Sequence, residues 1–103
     1  MIDIGELRKL NAPEHYAVTE HAKIRLFERG IRLDDIICCV ANGEIIEQYE
    51  NDKPLQSCLV LGISLGKKYL HAVVSHDDEF IYLITAYFPD EKQWQDDYKK
   101  RRK

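Results

Sequence analysis

The chain has 103 residues, 45% of them apolar and 32% charged, which makes one domain with one core and leaves no room for two. A formal net charge of −3 and a pI of about 5.8 argue against a dedicated nucleic-acid binder with a strongly basic face. The charge is segregated: Lys99, Lys100, Arg101, Arg102 and Lys103 are all basic, and the rest carries 10 basic against 18 acidic side chains, a net of −8. An acidic body with a basic end favours self-association as a homodimer, or a partner of mixed charge.

Residues 1–14 read as a short N-terminal arm, with a helical turn or two through Ile4, Leu7 and Leu10 before Pro13. Residues 15–98 form a single α+β domain, and 99–103 are a basic C-terminal tail. Thr19 is the expected N-cap of a helix over 19–29, and Gly30 is its stop. Ala22, Leu26 and Phe27 are expected on its buried side. A second helix runs from Leu33 to Ala41. Asp34 and Asp35 sit in its first turn, where the helix dipole favours negative charge. Ile36, Ile37 and Val40 face the core, and Asn42-Gly43 ends it.

From there the apolar period changes to two. Strands are expected over Glu44–Glu50, Ser57–Leu65, Tyr69–His76 and Phe80–Tyr87, joined by polar turns. Pro89 and Asp90 open a final helix whose Trp94 and Tyr98 dock it on the sheet. The short turns predict a two-layer α+β fold: helix, helix, four-stranded antiparallel meander, helix.

Cys38, Cys39 and Cys58 are odd in number, and two are adjacent in a predicted helix, where a disulfide is strained. There is no CxxC spacing, so three reduced thiols are expected, in a cytoplasmic protein without a secretory signal. No apolar run reaches the ~20 residues of a membrane span. The histidines His15, His21, His71 and His76 show no HxxxH or HxH spacing, so neither a metal nor a cofactor is expected.

Two constellations carry chemistry. His21, Arg25 and Arg29 are spaced i, i+4, i+8 along one helix, a row of cations that an anion would relieve. Arginine offers a planar fork suited to phosphate. Glu20 and Glu28 can also neutralise the row and leave it a solvated surface. The second constellation is His71, which titrates near neutrality and suits general acid/base work, or is a hydrogen-bonded structural histidine. Tyr69, His71, Val73 and Ser75 share a face of their strand. A three-residue Asp77–Glu79 loop sets His71 opposite Thr85 and Tyr69 opposite Tyr87. A two-residue loop shifts that register by one.

Thr19-Glu20-His21-Ala22, Arg25 and Glu28-Arg29-Gly30-Ile31 resemble the opening motif of the bacterial domain of unknown function family 4258. Asn42-Gly43-Glu44-Ile45-Ile46, Cys58-Leu59-Val60-Leu61-Gly62, Leu70-His71, Tyr87, Pro89-Asp90 and Trp94 continue the resemblance. The family is similar in turn to BrnT-like and RelE/ParE-like toxins of type II toxin–antitoxin systems. That likeness implies a RelE/BrnT-toxin-like fold and a cognate antitoxin partner with a zinc finger or a helix-turn-helix. It also implies RNA as substrate, for a metal-independent endoribonuclease (an mRNA interferase). On that expectation His71 is base or acid, His21 its counterpart, Arg25 and Arg29 clamp the phosphate, and Tyr87 orients it or shares the proton. The alternative is a non-catalytic protein-binding module in which Arg25 and Arg29 are structural ion-pair residues.

Overall fold

The computed structural model describes residues 1–90, 92, 94, 98 and 99. The chain opens with α1 (Ile4–Lys9), capped by the Asp3 carboxylate, which accepts from the Gly5 amide. This arm is docked: Leu7 is fully buried, and Arg8 donates to the carbonyls of Val40 and Gly43. A 3-10 turn over Pro13–His15 leads into β1 (Tyr16–Val18). The Thr19 hydroxyl accepts from the Ala22 amide at 3.1 Å and starts α2 (Glu20–Glu28). Gly30 follows with φ of 69°, a left-handed turn that glycine makes without a side-chain clash. Then come α3 (Leu33–Asn42), β2 (Glu44–Tyr49), β3 (Ser57–Ile63), β4 (Tyr69–His76) and β5 (Ile81–Tyr87).

The expected antiparallel meander is present as β2 to β5. The sheet, however, has five strands in the order β1-β5-β4-β3-β2. The fifth makes it mixed: β1 runs parallel to β5, with Tyr16 opposite Ile81 and Val18 opposite Leu83. Three residues are too few to display alternation, and this pairing spans most of the chain, so the sequence pattern does not reveal it.

Helices α2 and α3 cover one face of the sheet. Leu26, Ile36, Cys39 and Val40 meet Val60, Leu70, Val74 and Leu83 there in one apolar core. α3 comes close to β3 at Gly62, where a Cβ would overlap the Cys39 carbonyl oxygen. Phe27 departs from expectation: it is 85% exposed. Leu26 takes the sheet side, and Phe27, about 100° further round α2, lies beyond the stripe that this helix buries.

The other face holds a second layer. Leu70 and Ala72 belong to the core under the helices, so His71 between them points the opposite way. Leu59, Leu61 and Trp94 are buried outside that helix-side core. The expected docking of Trp94 on the sheet is met, since Trp94 is 1% exposed against His71. The closing helix expected around it lies largely outside the described residues, as do tail residues 100–103.

The β4–β5 hairpin register also differs from both alternatives read from the turn. The loop has four residues, 77–80, and His76 pairs with Ile81. Asp77 builds it: its carboxylate accepts from the Glu79 and Phe80 amides and from the Tyr82 hydroxyl. The Tyr82 hydrogen bond, then the two amides, hold that carboxyl below its ordinary pKa. A bulge follows, because Val74 pairs with Leu83 but Val73 pairs with Thr85, leaving Ile84 over. His71 therefore faces Tyr87, not Thr85, and Tyr69 is not opposite Tyr87.

Candidate functional site

The α2 row does not act as one unit. Each i+4 step turns about 40° around a helix, so three such residues wind through about 80°. His21 is exposed and makes no hydrogen bond or ion pair with another described residue. Arg25 lies 4.0 Å from the Glu28 carboxylate with both partners open to solvent, a pairing of small energetic weight. Arg29 has wound round to the sheet. Its Nη1 donates to the Thr85 hydroxyl at 3.1 Å and to the Ala86 carbonyl at 2.8 Å. β1 pairs only with residues 81–83 of β5, so Arg29 takes up a carbonyl beyond the reach of that strand.

His71 is fully buried. Its Nε2 stands 2.9 Å from the Tyr98 carbonyl oxygen and its Nδ1 3.4 Å from the Tyr87 hydroxyl. A carbonyl only accepts, so Nε2 carries the hydrogen, while the Tyr87 hydroxyl serves Nδ1 in either direction. Both ring nitrogens thus have partners. Trp94 meets the ring edge-on at 4.3 Å between centroids, and Tyr87 does so at 5.3 Å. Tyr69 packs on Tyr98 at 4.9 Å. Trp94 and the Tyr98 carbonyl thus lie against the histidine.

Of the expected site residues, the structure brings His71 and Tyr87 together. It places His21 and Arg25 on the helix side of the sheet, away from them. Arg29 bonds β5 at Thr85 and Ala86, two and one residues before Tyr87. The remaining histidines bond main-chain carbonyls, His15 that of Glu79 and His76 that of Asp77. Among the described residues no three or more His, Cys, Asp or Glu side chains gather as a metal site. The Cys39 and Cys58 thiols are pushed up to about 12 by burial, which keeps both protonated at neutral pH.

An exposed apolar surface was not foreseen. Ile24 and Phe27 project from α2 at 57% and 85% exposure, and the bulge residue Ile84 is 48% exposed. Two shallow grooves adjoin Ile84 and Phe27. One, of about 530 Å³, runs along Ala17, Val18 and Ile84; the other, of about 250 Å³, lies between Val18, Leu26, Phe27 and Leu33. Val18 lines both. The sequence held no decisive signal, because adjacent helical residues can both be buried, as Cys39 and Val40 are in α3.

These features define a small two-layer α+β domain with a covered histidine on one sheet face and a partly apolar, partly basic helix over the other. The chain belongs to the family described as a domain of unknown function, DUF4258, which matches residues 18–88. That span includes α2, His71 and Tyr87 but ends before Trp94 and Tyr98. No curated protein and no solved structure matches the chain. No helix among the described residues is long and apolar enough to cross a membrane.

Proposed function

We propose that this chain is a non-catalytic protein-binding module, and that α2 with the neighbouring β1–β5 edge is its binding surface. The observation that carries the reading is the exposure of Phe27 and Ile24. Large apolar side chains grouped beside apolar grooves and rimmed by charge are the usual make-up of a protein interface. The charged rim is Glu20, Lys23, Arg25 and Glu28. Likeness to toxins of type II systems supports an antitoxin as the partner, one carrying a zinc finger or a helix-turn-helix. Burial of His71, with both ring nitrogens engaged, speaks against chemistry there while the C-terminal segment is in place.

The test is calorimetric titration of the protein with the product of the adjoining reading frame. Wild type is expected to bind, and Ile24→Ser with Phe27→Ser to bind at least about tenfold more weakly, since buried aromatic anchors dominate interface energy. Thermal stability of that variant is expected to be unchanged within about 0.5 kcal/mol, because both side chains are exposed. Binding that ignores the two substitutions would sink the proposal.

The endoribonuclease is the second reading, and the adjacency of His71 and Tyr87 is the observation that favours it. If the C-terminal segment lifts, His71 is free to take the proton of a ribose 2′-hydroxyl. The oxygen then attacks the phosphorus to give a 2′,3′-cyclic phosphate, and the 5′-oxygen leaves with a proton. His21 stands on the wrong side of the sheet to supply that proton. Expression of wild type and His71→Ala without a partner separates the readings. Cleaved RNA in the wild-type culture alone favours the enzyme, and intact RNA in both favours the module.

A further inference from the structure

A groove at the C-terminal end of β5 has a different composition from the α2 surface. It measures about 300 Å³ and is lined by Lys67, Lys68, Tyr69, Phe88, Pro89 and Tyr98. The two lysines form the β3–β4 turn, where Lys67 holds φ of 62°. Lys68 carries its ammonium 5.5 Å above the Phe88 ring centroid. Tyr69 is 49% exposed and Phe88 36% exposed. Among the described residues neither Lys67 nor Lys68 lies in ion-pair range of a carboxylate. Three described acids near this end have other partners. Asp35 accepts from the Leu65 amide, Glu44 holds Lys99 at 2.7 Å, and Asp90 accepts from the Lys92 amide. Lys99 is thereby tethered at the start of β2, and the four basic residues 100–103 follow it directly in the chain.

We propose that this groove binds a short stretch of single-stranded nucleic acid. Two cations beside exposed ring faces meet the two needs of such a ligand: phosphates to neutralise and unstacked bases to stack. Lys67 and Lys68 take adjacent phosphates, and the half-exposed Tyr69 ring, on which Tyr98 already packs, offers its open side to a base. The acidic body limits the contact to one or two nucleotides, because a longer polyanion would meet repulsion beyond the turn. A duplex keeps its bases stacked inside and cannot use the rings. An acidic peptide would use the lysines and leave the rings idle. The proposal goes beyond the partner-binding reading, uses none of its residues and stands or falls separately.

Fluorescence anisotropy of the full chain with labelled 12-nucleotide oligo(U) and oligo(dT) tests it. The wild type is expected to bind, and comparison of the two oligomers reads the contribution of the ribose. Lys67→Gln with Lys68→Gln is expected to weaken binding about tenfold and to reduce the slope of log K against log salt by about 1.4, the loss of two phosphate contacts. Tyr69→Ser is expected to cost about fivefold through lost stacking. Lys53→Gln, in the β2–β3 loop at the opposite end of β3, is expected to change nothing. All four are exposed positions, and a thermal melt of each variant reports folding. No binding, binding indifferent to the lysine pair, or equal affinity for a duplex or a poly-glutamate peptide of the same charge would each overturn the proposal.

Discussion

The two faces of the sheet are filled by different means. Under the helices the interior is aliphatic and sulfur-bearing, with Cys39, Val60, Leu70 and Val74 among its members. Burial there is non-directional and asks for volume alone. On the other face His71, Trp94, Tyr87 and Tyr98 meet through rings and directed hydrogen bonds. The buried imidazole is tolerable because a carbonyl and a hydroxyl arrive at its two nitrogens. The first face is therefore sensitive to size, the second to the identity and presence of specific partners.

The sharpest way to break this comparison is Trp94→Ala. Removal of a fully buried indole is expected to cost about 3–5 kcal/mol by urea denaturation. A loss below 1 kcal/mol would mean that the second face is no core at all. On the helix face Gly62→Ala is the matching probe of volume. Its new methyl meets the Cys39 carbonyl, and overpacking is expected to cost about 1–3 kcal/mol with no change of polarity. His71→Phe sharpens the contrast by keeping a ring while removing both nitrogens. It is expected to cost about 1 kcal/mol, chiefly for the Tyr98 carbonyl and Tyr87 hydroxyl left without it. The smallest effect is chemical. With Cys39 and Cys58 buried and protonated, a disulfide reagent at pH 8 is expected to label Cys38 in the native protein and all three thiols after denaturation. Because burial raises these thiols from 9.0 to about 12, their contribution to stability is complete below pH 9 and is lost as pH rises toward 12.

Much of the helix face was legible. Thr19, Gly30 and the Leu33–Asn42 pattern carry local signals, and the structure follows them. The strands of the meander were legible for the same reason, since alternation is a property of neighbours. What escaped was non-local. β1 is defined by a partner 65 residues away, Tyr16 with Ile81, and no short window contains both. The hairpin register turned on how Asp77 folds its own loop and on one extra residue at Ile84. His71 was identifiable as a centre of interest, but its burial depends on residues 94 and 98 returning over the sheet. The α2 row looked uniform because spacing alone ignores the winding that carries Arg29 to β5 and leaves His21 in water.

The extra residue in β5 governs parity. Tyr82 and Tyr87 are five positions apart, an odd step that an unbroken strand would send to opposite faces. Their partners in β4, Ser75 and His71, are four apart, an even step. Ile84 reconciles the two counts, and its own side chain is spent on the outer surface beside the Val18 grooves. Deleting it would swap inside for outside in everything that follows: Ala86 and Tyr87 would exchange faces, the histidine would lose its hydroxyl and the outer surface one of its apolar groups. This strand is accordingly far less forgiving of a change in length than of a change in letter, and a single-codon deletion there would reach both sides of the molecule at once.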